Sequence, residues 1–291
     1  VKKLVFIFLI LVMLASFVGC AAPNCGNMPV VLLTDYGNDD YRVPRLKGII
    51  YNTFPGVDMI DATHGIPSVD VAAGAYILDL AAREFPVNVV FVAGVGSPAK
   101  EDEQYLALLT NKDQYFVAAN NGILTYIINE FGIKEVYSIT NADLFDRPED
   151  MLSSHYILGR IGAKLASGMS ISDVGPKVNE PVMLDIQIAS YTNGVLKGTV
   201  VFTDHYGSCL TNITKDDFDQ LGLEVGDSLQ VTIGDTKLTM KLGVTYGSVA
   251  KGEAVAFVNS LGVFQLSINL GSFATQYNLK NGTKFEIQKA Q

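Results

Sequence analysis

The chain has 291 residues, 48% of them hydrophobic and 18% charged, with a formal net charge of −9. That composition belongs to folded globular protein, and the length suffices for two domains of roughly 100–200 residues, each with its own core. The excess of 30 acidic over 21 basic side chains, with no basic run beyond Lys2-Lys3, excludes nucleic acid as a partner.

Residues 1–19 read as a secretory signal peptide, with a charged start at Val1-Lys2-Lys3, an apolar centre over 4–18 and Gly19 at the exit. The apolar run is shorter than the about 20 residues a membrane-spanning helix needs. Phe17-Val18-Gly19-Cys20 resembles the lipobox of bacterial lipoproteins, with Phe17 in place of the usual Leu. It implies an exported protein held at the membrane by a lipid on Cys20, followed by a linker over 20–28. Cys25 and Cys209 are the other cysteines, and whether they pair is open, since Cys209 in Ser208-Cys209-Leu210-Thr211 reads as a small buried hydrophobe. With His64, His155 and His205 as the only histidines and no Cys/His cluster at ligand spacing, no metal is expected.

From Met28 onward short β-branched runs alternate with amphipathic stretches. Strands are predicted over 30–33, 57–60, 89–92, 115–118 and 135–139, and helices from about 41, over 71–83, 123–131 and 157–166. The alternation argues for a parallel sheet covered by helices, with ligands expected beyond the carboxyl ends of the strands. After about residue 182 the texture changes to closely spaced strands, over 186–188, 195–202, 228–233, 238–242, 254–258 and 264–268. Asn193-Gly194 and Asn281-Gly282 are hairpin-turn signals. The domains are therefore set at 29–185, α/β with a mainly parallel sheet, and 186–291, a smaller β-rich domain.

Thr34-Asp35-Tyr36-Gly37-Asn38-Asp39-Asp40 follows the first core strand directly. Carboxylates there can clamp vicinal hydroxyls or an ammonium group, because ionised oxygens only accept hydrogen bonds. Asp39 or Asp40 can equally cap the next helix. The stretch is similar to the calcium-binding opening of nucleoside hydrolases, but Leu33 stands where those carry another Asp.

Further blocks recur in order: 60–67, Ile-Asp-Ala-Thr-His-Gly-Ile-Pro; 70–75, Asp-Val-Ala-Ala-Gly-Ala; 119–125, Ala-Asn-Asn-Gly-Ile-Leu-Thr; and 203–212, Thr-Asp-His-Tyr-Gly-Ser-Cys-Leu-Thr-Asn. Together they resemble the S-adenosylmethionine (SAM) hydroxide adenosyltransferase and halogenase family, which includes fluorinases and chlorinases. The resemblance runs from about Pro29 to Ile287. It implies an α/β N-terminal domain, a β-barrel-like C-terminal domain, and a homotrimer binding SAM between the N-domain of one subunit and the C-domain of the next. The implied chemistry is attack of a nucleophile on the 5′ carbon of SAM, with methionine expelled. Asp35 matches the ribose-binding aspartate, Asp40 a carboxylate near the methionine ammonium, Asp204 the start of the second-domain block, and Tyr206 an aromatic residue close to the adenine. Ser208 stands in that block in place of the usual Asn, and Arg42 where a smaller residue usually lies near the methionine carboxylate.

The hydroxide-using branch activates water with an Asp, an Arg and a His; by register this chain has Val92, Ala99 and Ser153 at those places, none able to play the part. His155 stands two positions after Ser153. Ser154 falls where the fluorinase carries its halide-contacting serine, although it can equally be a helix N-cap, and the halide-pocket positions hold Val92 and Val95. The expectation is a SAM- or adenosine-binding member of the family without the standard triad, Ser154 and His155 being the candidate catalytic residues. The alternative is a non-catalytic nucleoside-binding lipoprotein.

Overall fold

The protein is described by a computed structural model over residues 27–96, 103–147, 151 and 153–290. The described residues form two compact units, one from residues 27–70 plus those of Leu80–Val182, the other from Val71–Asp79 plus residues 183–290. The leader, the lipobox with Cys20, Cys25 and Ala99 lie outside the described residues.

In chain order the first unit carries β1 (Val30–Thr34), α1 (Arg42–Thr53), β2 (Met59–Thr63), β3 (Val90–Gly94), β4 (Tyr105–Thr110), β5 (Tyr115–Ala119), α3 (Thr125–Phe131), β6 (Ile133–Ser138) and α4 (Ser154–Ala166). Helix α2 (Val71–Glu84) runs across the division between the units. The strands form one sheet in the order β2-β1-β3-β5-β4-β6. β1, β3 and β4 are buried at every position, which explains their unbroken apolar sequences. Helix α4 lies on this sheet against α1. Its glycines permit the approach: a Cβ at Gly162 would stand 2.5 Å from Val92 Cγ2, and one at Gly159 would stand 2.9 Å from Leu46 Cδ1.

The expected mainly parallel sheet is instead mixed. β2, β1, β3 and β5 pair in parallel, whereas β4 is antiparallel to both β5 and β6. β4 is the strand of this sheet not anticipated from sequence. It enters β5 through a tight turn at Asn111-Lys112-Asp113-Gln114, in which Asp113 takes a φ of 56° that glycine usually supplies.

The second unit contains β7 (Ser190–Thr192), β8 (Val195–Thr203), β9 (Cys209–Thr214), α5 (Lys215–Asp219), β10 (Ser228–Ile233), β11 (Thr236–Leu242), β12 (Ala254–Val258), β13 (Val263–Ile268), α6 (Phe273–Gln276) and β14 (Lys284–Lys289). The order β14-β10-β11-β12-β13-β9-β8, closed by pairing of β14 with β8, makes a seven-stranded barrel with β7 appended to β8. Leu196, Val200, Phe218, Leu229, Phe264, Phe273 and Ile287 fill its core. Asn193-Gly194 forms the expected hairpin turn, both residues at positive φ. The strand before it is 190–192 rather than 186–188. Asn281-Gly282 is not a hairpin turn: only Gly282 has positive φ, and the pair leads from α6 into β14.

Candidate functional site

β1 ends at Thr34 and β3 at Gly94, parallel neighbours whose carboxyl ends stand side by side. Asp35 follows immediately. Its Oδ2 accepts hydrogen bonds from Gly96 N–H at 3.0 Å and Val69 N–H at 2.9 Å. Asn121 orients the first donor, because its Nδ2 donates to the carbonyls of Val95 and Gly96. The second donor is reached at a conformational cost, for Val69 is a β-branched residue at φ 63°. Among the described residues Asp35 Oδ1 accepts no hydrogen bond, so a carboxylate with one fixed and one open oxygen stands at the strand ends.

Tyr36 packs over Gly94, whose missing side chain leaves room for the ring; a Cβ there would lie 2.9 Å from the Tyr36 hydroxyl. Burial pushes the Tyr36 phenol up to about 12, so it remains a donor, and its hydroxyl lies beside Ser154 without a hydrogen bond of good geometry. Asp40 is already engaged: Arg42 donates to it from its backbone N–H and from Nη1, both at 2.8 Å. The residue therefore shapes the start of α1, and as matters stand its carboxylate is neutralised by Arg42.

Ser153, not Ser154, occupies the N-cap position of α4, and its hydroxyl does not cap the helix. It meets the His155 ring, 3.1 Å from Nδ1 and 3.2 Å from Nε2. His155 thus folds back onto the residue standing, by register, where the triad histidine belongs. Burial, and then the positive charges of Arg45 and Arg42, hold its pKa below the ordinary histidine value, keeping the ring neutral near pH 7. Val92 is not at the site: it is buried in the core against Gly162.

In the second unit Asp204 Oδ1 accepts from the N–H groups of Tyr206 at 2.9 Å and Ser208 at 2.8 Å, so Asp204 builds the turn that presents both. Gly207 makes the turn possible, at φ 79° and with Ser272 filling the space a Cβ would need. Tyr206 (76% exposed) and buried Ser208 line a cavity of about 570 Å³ with Tyr246, Ile268, Asn269 and Leu270. Cys209 next to it is buried, and burial raises its thiol to about 11, so it is inert at neutral pH.

The structure thus brings Asp35, Tyr36 and Ser154 into one neighbourhood, with Ser153, His155, Arg42 and Arg45 forming an adjoining one. Within the second unit Tyr206 and Ser208 share a cavity, and Asp40 and Asp204 hold neighbouring residues. Sequence reasoning passed over Tyr36 and Tyr246. A tyrosine beside Asp35 is a visible signal; Tyr246 lies 40 positions from Tyr206 and has none.

The profile of the SAM hydroxide adenosyltransferase N-terminal domain matches residues 30–175, and that of the C-terminal domain of the same family matches residues 198–286. A fluorinase of Actinoplanes sp. is 28% identical over 92% of this chain and 100% of its own. The (R)-S-adenosyl-L-methionine hydrolase of Methanocaldococcus jannaschii is 24% identical over 89% of this chain and 95% of its own. Among solved structures, a conserved protein of Thermotoga maritima superposes with a TM-score of 0.84 at 28% identity, covering 89% of this chain and 100% of that one. With its two domain profiles matched in order along the chain, the protein belongs to the SAM hydroxide adenosyltransferase family.

Proposed function

We propose that this protein binds an adenosyl compound, SAM by kinship, and carries out substitution at the 5′ carbon with water as the nucleophile, releasing methionine and adenosine. Asp35 is the ribose anchor, its open Oδ1 accepting from a ribose hydroxyl while Oδ2 stays fixed by Val69 and Gly96. By the family resemblance, the contacts of Tyr206 and Ser208 to the adenosyl group come from a neighbouring subunit of the homotrimer. A sulfonium is an activated leaving group, so the protein's task reduces to alignment and to taking the proton from water.

The observation that carries hydrolysis is the His155 ring, kept neutral and held against Ser153 Oγ. In this reading the water oxygen forms a bond to C5′, the C5′–S bond breaks with its electron pair going to sulfur, and the water proton passes to the imidazole. His155 replaces the missing triad, and Ser154 borders the nucleophile.

The test is incubation with SAM in ¹⁸O-labelled water, with and without chloride or fluoride. Labelled adenosine and methionine are expected from wild type and not from His155→Ala. The rate should fall as pH drops through the depressed His155 pKa, since the proton acceptor is lost below it. Turnover indifferent to His155→Ala would remove His155 as the proton acceptor, and a 5′-halogenated product would displace the hydrolytic reading.

A second reading, a nucleoside-binding protein without turnover, is favoured by one observation: Val92, in the register place of the water-activating aspartate, is core. Binding of adenosine with no methionine release would select it. Either function is proposed for a homotrimer, checked by solution mass at micromolar concentration, and for an exported protein anchored through Cys20.

A further inference from the structure

His64 has no part in the substitution above, yet it is buried and lies in the middle of a polar chain. Its Nδ1 is 2.8 Å from Thr34 Oγ1, and its Nε2 is 3.2 Å from Asp61 Oδ1 on β2, at an angle short of a full hydrogen bond. Donor counting gives the chain a direction. Nε2 faces a carboxylate that only accepts, which favours the ring proton there and leaves Nδ1 to accept from the Thr34 hydroxyl, whose oxygen in turn accepts from Tyr36 N–H at 3.3 Å. Lys47 donates to Asp61 Oδ2 from the other side. Burial raises the Asp61 pKa, but the hydrogen bond from Lys47 and the adjacent His64 ring outweigh it and hold the group below the usual carboxylate value.

The backbone of His64 is tied into the same place, its carbonyl accepting from Gly37 N–H at 2.8 Å. One residue therefore fastens the loop after β1 to the loop after β2. These loops meet again at Asp35, where Val69 N–H reaches Oδ2. Val69 is 62% exposed and at φ 63°, so little packing of its own holds it there.

We propose that His64 is a positioning residue for Asp35: by clamping the two loops it holds Val69 N–H on Oδ2 and so keeps Oδ1 open and aimed for the ribose. The proposal rests on the reading of Asp35 as ribose anchor. It assigns a function to the Asp61-Ala62-Thr63-His64 block that catalysis leaves idle.

Two measurements test it. The first is amide hydrogen exchange without ligand in wild type, His64→Ala, His64→Asn and Thr34→Val. Positioning predicts that Val69 N–H loses about tenfold in protection in His64→Ala and Thr34→Val, whereas Gly96 N–H, held through Asn121, keeps its own. His64→Asn, which retains an acceptor for the Thr34 hydroxyl, should restore much of the loss. The second is adenosine affinity by calorimetry. His64→Ala should cost about tenfold, comparable to one hydrogen bond, and cost nothing further in an Asp35→Ala background.

Equal loss of protection at both amides marks a merely structural residue and overturns the proposal, as does multiplication of the two affinity losses. Thr34→Val removes one hydroxyl and decides the question if His64→Ala fails to fold. If wild type binds neither adenosine nor SAM, the ribose-anchor reading falls, while the exchange data still report whether His64 holds Val69 on Asp35.

Discussion

Asp35 has one oxygen tied to two backbone amides and one free, an arrangement that prepays the ordering of the carboxylate before a ligand arrives. Charge-assisted hydrogen bonds are worth roughly 1.5–3 kcal/mol, so Asp35→Ala should weaken adenosine or SAM binding by about one to two powers of ten, read by calorimetry. An unchanged affinity would remove Asp35 from the site. Asp35 is legible in the sequence as a carboxylate at a strand end. Its supporting donors are not, because a backbone amide leaves no trace in the identity of Val69 or Gly96. Val69 carries its own test. A β-branched side chain in the left-handed region costs on the order of 1–2 kcal/mol, and Asn tolerates that region while leaving the backbone N–H in place. Val69→Asn should raise stability by about 1 kcal/mol in urea unfolding without loss of adenosine affinity; a decrease in stability would show that the valine side chain does more than occupy the position.

At the scale of elements, the α/β alternation of the first unit is legible because β1 and β3 are unbroken apolar runs and α2 and α4 are amphipathic. β4 escaped for a physical reason: Tyr105–Thr110 is as apolar as its neighbours, but the turn after it is made by Asp113 at positive φ, with no Gly or Pro to mark it. The β4–β5 hairpin also caps the C-terminal end of α2. Gln114, fully buried, donates through Nε2 to the carbonyls of Ala82, Phe85 and Pro86 at 2.9–3.0 Å, and Lys112 Nζ donates to those of Ala82 and Arg83. These satisfy acceptors that a helix end leaves open. Gln114→Leu keeps the volume and deletes the donors, and should cost about 2–4 kcal/mol in urea unfolding. Gln114→Glu should be worse at neutral pH, where a carboxylate would face carbonyl oxygens. Equal stability of Gln114→Leu and wild type would mean that the carbonyls find water or Lys112 sufficient.

At the scale of the whole molecule, the proposed export and anchoring through Cys20 can be weighed against charge. Charge works against attachment: loss of Lys2 and Lys3 with the leader would take the net charge from −9 to −11, and such a protein is repelled by anionic lipid. Among the described residues no helix is long and apolar enough to cross a membrane. Attachment would then rest on acyl chains at Cys20, at about 0.8 kcal/mol for each buried methylene, and a stable anchor takes more than one chain. Wild type is therefore expected to label with radioactive palmitate, to fractionate with membranes and to stay there through a high-salt wash, which would strip an electrostatically bound protein. Cys20→Ser should abolish the label, and the protein should accumulate either at the precursor mass or in the soluble fraction. Equal labelling and equal fractionation of the two proteins would refute lipidation at Cys20 and leave the fold and the ligand site untouched, since both lie downstream of it.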